Sequence, residues 1–240
     1  MTDGSRWLPP PRAELPGKRL FCLPFAGGGA SFYAGWARQL GDVELCAFRL
    51  PGREQRILES PLSDLQALIP PLLDSLRARV DAPYALFGHS LGGLVAFELA
   101  RAARRAGLPA PDQLFVSGSS APDQARIAAI THLPDREFLD RVREYGGMPE
   151  QVLREPELLE LILPALRADF RVSETYSYAV EPPLECPIVA LGGTDDIPEE
   201  SLRRWAAQTS GPFTLWMFPG GHFFLRDHQA EIVKRLVALL

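Results

Sequence analysis

Residues 84–94 read YALFGHSLGGL, and within them Gly88, Ser90 and Gly92 form the pattern G-x-S-x-G. A serine hydroxyl is a poor nucleophile at neutral pH and needs a base within hydrogen-bond reach, with a third group to orient that base. Small residues on either side of such a serine let a sharp strand-to-helix turn hold its hydroxyl at an exposed, strained apex. In a chain with 20 glycines among 240 residues the pattern also arises by chance, so its surroundings must decide. Residues 85–87 are an apolar run suited to a buried strand, and residues 91–105 show helical periodicity without a proline. The competing reading is a glycine-rich turn in which Ser90 merely caps the helix.

Four histidines compete for the base. His89 adjoins Ser90 along a tight turn, so its ring is expected to diverge from the nucleophile. His132 falls in a helical excursion, and His228 lies near the start of the final helix, where solvated or capping roles are common. His222 sits in Pro219-Gly-Gly-His222, directly after the last strand-like run, where the chain order serine, acid, histidine places the base. The acid is expected at a strand end between Ser90 and His222. Asp195 and Asp196 close the segment PIVALGGTDD, and consecutive side chains of an extended segment point to opposite sides, so they are alternatives. Asp123, after the strand-like run ending at Ser117, is the rival.

Attack by Ser90 on an acyl carbonyl creates an oxyanion, and preorganised amides facing that charge contribute about a hundredfold or more. The Leu91 N–H follows the nucleophile, and the Ala26 N–H lies in Phe25-Ala-Gly-Gly-Gly29, with Phe25 the adjacent alternative. That glycine run lacks the lysine of a P-loop and the G-x-G-x-x-G spacing, which disfavours nucleotide binding.

These residues need a scaffold, and strands alternating with helices imply a mostly parallel sheet flanked by helices, an α/β fold. Strands are expected at 19–24, 43–50, 85–87, 114–117, 186–191 and 213–218, and helices at 31–40, 62–80, 91–105 and 232–240, with Pro70 and Pro71 interrupting or kinking the second. Between 121 and 183 the alternation stops, and helical patterns at 135–145, 157–168 and 171–176 suggest an inserted lid over the carboxyl ends of the strands of one domain, 1–240. Its Leu158, Leu159, Ile162, Leu163 and Leu166 are candidates to line an acyl pocket, the plainer reading being helix packing.

A hydrophobic content of 46% fills a real core, and a net charge of -5 argues against a nucleic-acid binder. No secretory leader or membrane span is apparent, so a soluble, cytoplasmic protein is expected. Cys22, Cys46 and Cys186 follow no metal spacing and read as reduced core residues.

Several separated motifs together resemble the type II thioesterases, the stand-alone editing enzymes of polyketide and nonribosomal peptide assembly lines. They are Leu20-Phe-Cys-Leu-Pro-Phe-Ala-Gly-Gly28 with Trp36, Leu50-Pro-Gly-Arg-Glu-Gln-Arg56, Gly88-His-Ser-Leu-Gly-Gly93, Gly192-Gly-Thr-Asp-Asp196 and Gly220-Gly-His-Phe-Phe224. The Pro-Gly-Arg-Glu segment discriminates best, since general lipases and esterases share the elbow but not that loop. Leu91 stands where a common family form has methionine, a change that keeps the backbone amide.

The resemblance implies an α/β-hydrolase fold and a catalytic set of Ser90, Asp196 and His222. It implies a substrate acyl group held as a thioester on the phosphopantetheine arm of an acyl or peptidyl carrier protein. No metal or bound cofactor is expected, phosphopantetheine belonging to the partner, and a monomer is expected. Arg53, Glu54 and Arg56 are expected to organise the loop beside the site or to contact substrate. Arg101, Arg104 and Arg105, or Arg203 and Arg204, are candidate docking clusters for an acidic carrier, solvated helix surface being the plainer reading. The alternatives are a small-molecule carboxylesterase or lipase and a chain-releasing or cyclising thioesterase. A catalytically silent carrier-binding protein is a third, against which the apparently complete Ser90, Asp196 and His222 set argues.

Overall fold

The computed structural model describes residues 6–11, 17–124, 128–146 and 155–240. Short apolar runs pair into one sheet of strands β1 (Arg19–Leu23), β2 (Glu44–Ala47), β3 (Tyr84–His89), β4 (Gln113–Ser117), β5 (Ile188–Gly193) and β6 (Phe213–Phe218). Their order is β2-β1-β3-β4-β5-β6, and every neighbouring pair is parallel. The inner strands are buried along nearly their whole length, as expected where both faces of a parallel sheet are covered. Alternation along β1 divides the core. Phe21 and Leu23 face one layer with helices α1 (Leu65–Arg77) and α2 (Leu91–Arg105). Leu20 and Cys22 face the other, with Tyr33, Trp36 and the C-terminal helix. All three cysteines are buried free thiols, as their apolar settings suggested.

Two expected helices differ in detail. The segment expected as a helix over 31–40 forms a 3₁₀ turn, Ala30–Trp36. Side chains three apart eclipse in that geometry, so Tyr33 and Trp36 both point into the core. Helix α1 runs unbroken through Pro70 and Pro71. The carbonyls those prolines leave without amide partners belong to Gln66 and Ala67, both exposed residues, so the loss falls on the side of the helix open to solvent. Its start is fixed by Asp64, whose side chain accepts a hydrogen bond from the Gln66 amide at 2.6 Å.

Between β4 and β5 lie α3 (Asp135–Arg143) and α4 (Pro156–Thr175). The patterns at 157–168 and 171–176 join into the single helix α4, which passes through Asp169 and tolerates Pro164 on its exposed side. Ile130, Phe138, Val142, Leu166 and Phe170 form a third apolar cluster that holds these helices together. After β5 come α5 (Glu199–Arg203), β6, α6 (Phe224–Asp227) and α7 (Gln229–Leu239). No helix among the described residues is long and apolar enough to cross a membrane.

Candidate active site

The strand-to-helix turn at Ser90 explains its own glycines. Ser90 adopts φ 55°, ψ -121°, one of two described non-glycine residues at positive φ. A Cβ at Gly88 would lie 1.9 Å from the Gly92 carbonyl oxygen, and one at Gly92 would lie 2.2 Å from the Leu23 oxygen. Only glycine at both positions allows the chain to reverse so tightly against the end of β1. The Ser90 amide donates to the Ser117 carbonyl at 2.7 Å, anchoring the turn to β4. The Ser90 side chain makes no capping bond to α2, which disposes of the helix-cap reading and leaves the hydroxyl free for another partner.

Asp196 and His222 are brought together by two loops laid against each other. The Thr194 amide donates to Phe218 O at 2.9 Å and the Asp195 amide to Gly220 O at 3.0 Å. A Cβ at Gly193 would meet Gly220 O at 2.4 Å, so that approach requires glycine. His222 Nδ1 then lies 2.9 and 3.0 Å from the two carboxylate oxygens of Asp196. Asp195 is exposed. Asp123 accepts from Arg204 at 2.6 Å, so the rival acid is engaged in an ion pair. Of the other histidines, His132 is exposed, and His228 Nε2 lies 3.0 Å from Pro219 O.

Ser90, Leu91, Asp196 and His222 line one cavity of about 180 Å³, together with Leu94, Gly118, Ser119, Ser120, Ile197, Tyr145 and Ser173. Leu91 opens α2, so its amide has no acceptor within the helix. Ala26 lies in the tight turn closed by the Gly28 amide on Phe25 O at 2.8 Å, with Gly27 at φ 74°. That turn follows the end of β1 on which the first turn of α2 rests.

The sequence does not reveal the wall contributed by the excursion. None of the five leucine and isoleucine candidates lines this cavity. Leu166 is buried in the third cluster with Leu163 packed against it, Leu158 is exposed, and the wall comes from Tyr145 and Ser173. The arginine clusters are likewise engaged within the chain. Glu181 pairs with Arg101, Arg104 and Arg105 at 2.8, 2.8 and 2.6 Å, pinning the approach to β5 against α2, and Arg203 pairs with Glu199. Arg56 donates to Arg49 O at 2.7 Å and pairs with Glu59 at 2.6 Å, so it organises its loop.

The ring of His89, at the end of β3, is buried and is not part of the lining of the Ser90 cavity. Its centroid lies 5.0 Å from that of His222, and its Nδ1 lies 3.0 Å from Ser117 Oγ. Burial, then His222 and Arg226 nearby, hold its pKa well below the ordinary histidine value, so the folded state keeps it neutral. The unfolded chain takes up that proton below about pH 6.5. Stability from this group is therefore full above about pH 6.5 and falls as pH drops, by at most about 1.4 kcal/mol per pH unit. Urea unfolding followed from neutral to mildly acidic pH should show this slope. His89→Gln should remove it, and an unchanged slope would refute the assignment.

The thioesterase domain pattern matches residues 18–240. The gramicidin S biosynthesis protein GrsT of Aneurinibacillus migulanus is 41% identical over 90% of this chain and 86% of its own length. The thioesterase PikA5 of Streptomyces venezuelae is 38% identical over 96% of this chain and 84% of its own length. The solved structure of BorB, a type II thioesterase from the borrelidin biosynthetic cluster, superposes with a TM-score of 0.89 at 41% identity, covering 97% of each chain. With the parallel sheet, the serine turn and these likenesses in hand, the chain belongs to the thioesterase family and has its α/β-hydrolase fold.

Proposed function

We propose that this thioesterase edits an assembly line, hydrolysing acyl thioesters from the phosphopantetheine arm of an acyl or peptidyl carrier protein through an acyl-Ser90 intermediate. The observation that carries the mechanism is the Asp196–His222 hydrogen bond in the same cavity as Ser90. His222 Nε2 takes the Ser90 proton as Oγ attacks the thioester carbonyl. Asp196 holds the imidazole with Nδ1 protonated and balances the imidazolium. The oxyanion of the tetrahedral intermediate is met by the Ala26 and Leu91 amides. Collapse breaks the carbon–sulfur bond, and the pantetheine thiol leaves with the proton from His222. A water, deprotonated by His222, then attacks the acyl-serine and releases the free acid.

This chemistry calls for no metal or organic cofactor of the enzyme's own, since the pantetheine arm arrives with the carrier. The relatives that support a carrier partner include GrsT, named for gramicidin S biosynthesis, and BorB, from a borrelidin cluster. The chain is proposed to work as a monomeric single domain in the cytoplasm, a reducing setting that suits its buried free thiols. Residues 121–183 would act as a lid, with Tyr145 and Ser173 meeting the acyl group.

Incubating wild type and Ser90→Ala with an acylated carrier protein and following the carrier's intact mass tests this reading. Wild type should strip the acyl load to holo-carrier and free acid, and the variant should leave it in place. Lactone product would instead indicate a cyclising enzyme. A load left intact by wild type that cleaves simple oxygen esters would overturn the editing function.

A further inference from the structure

The segment Pro51-Gly-Arg-Glu54 reaches the site through a buried ion pair rather than through substrate. Arg53 Nη1 and Nη2 donate to the two carboxylate oxygens of Asp169 in α4 at 2.5 and 2.9 Å, and both side chains are buried. The same groups grip the turn that carries Ala26. Asp169 Oδ2 accepts the Gly27 amide at 2.7 Å, and Arg53 Nη1 donates to Gly28 O at 3.1 Å. Glu54 accepts the Ala30 and Ser31 amides just beyond the turn at 3.0 and 2.9 Å. Leu166 of α4 packs where a Gly27 Cβ would stand, 2.8 Å away.

From this arrangement, and resting on the acyl-Ser90 mechanism, we infer that Arg53 and Asp169 are positioning residues that hold the Ala26 amide in the oxyanion hole and make its placement depend on the seating of α4. The peptide linking Ala26 to Gly27 has its amide fixed by Asp169, so the preceding peptide, which carries the Ala26 N–H, is fixed within the same turn. An isolated buried charge pair is weak evidence for stability, because well-packed apolar residues replace such pairs at little cost. A pair that also accepts the Gly27 amide and donates to Gly28 O, in the turn carrying Ala26, has a use beyond stability. An oxyanion forms only during the reaction, so loosening its donor lowers kcat while leaving substrate binding in place.

The test compares wild type, Asp169→Asn and the double variant Arg53→Met/Asp169→Leu, with active sites counted by titration. The readouts are kcat and KM on an acyl thioester, melting temperature, and Ki for an alkyl trifluoromethyl ketone, whose serine adduct places an oxyanion in the hole. Both variants should lose about 10- to 100-fold in kcat with KM within about twofold, and Ki should weaken in parallel, even where the double variant melts with wild type. Wild-type kcat and Ki in a double variant of normal melting temperature would overturn the inference. Should the double variant not fold, Asp169→Asn decides alone, since it preserves volume while its NH2 replaces one of the two carboxylate oxygens and so faces a donor, either Arg53 or the Gly27 amide. Unchanged kcat and Ki in that variant would overturn the inference equally. Failure of the underlying mechanism would show earlier and separately, as wild type that forms no ketone adduct on Ser90.

Discussion

Ser90→Ala is expected to lower kcat for thioester hydrolysis by about 10⁴-fold or more, close to 5.5 kcal/mol of transition-state stabilisation. The alanine removes the hydroxyl proposed to form the acyl bond, while the turn's glycines and the Ser117 anchor remain. His222→Ala should cost a comparable factor, and the double substitution little more than either single one. Groups that act on the same transition state lose their joint effect when any one is removed. Steady-state kinetics on the four proteins checks this, with circular dichroism confirming the fold. A double variant whose loss is the product of the two single losses would mean that Ser90 and His222 serve separate steps.

Asp196→Asn should reduce kcat by about 10⁴-fold, because an amide that donates toward Nδ1 favours the wrong imidazole tautomer and cannot balance the imidazolium. Asp195→Asn and Asp123→Asn should stay within about twofold, the first residue being exposed and the second paired with Arg204 on the surface. The contrast is sharp because Asp195 and Asp196 are neighbours of identical chemistry, separated only by which way the β5 loop points them. Kinetics on the three purified variants decides it, and a large loss in Asp195→Asn would reassign the acid.

Legibility in the sequence followed the range of the interactions involved. The turn at Ser90 was legible because its constraint is local, with both glycines within two residues of the serine, and α2 begins and ends where its periodicity does. That an acid of the β5 loop would meet His222 was legible because both loops follow neighbouring strands of a parallel sheet and emerge at the same edge, while the choice of Asp196 over Asp195 came from the family resemblance. The Arg53–Asp169 pair was not legible, since 116 residues separate the partners and the expected helices at 157–168 and 171–176 stop on either side of Asp169. The passage of α1 through Pro70 and Pro71 was equally hidden, whereas the helical pattern at 157–168 already spanned Pro164. Passage through a proline depends on which side of the helix faces water, and the tertiary packing decides that.

Rapid acid quench of wild-type enzyme with an acylated carrier, followed by peptide mapping by mass spectrometry, tests the acyl-serine mechanism most directly. The acyl mass should appear on the peptide containing Ser90, transiently and in up to one equivalent, and should be absent from Ser90→Ala. Ser119, Ser120 and Ser173 line the same cavity and serve as internal rivals. An adduct on any of them, or acid release at full rate from Ser90→Ala, would contradict Ser90 as the nucleophile.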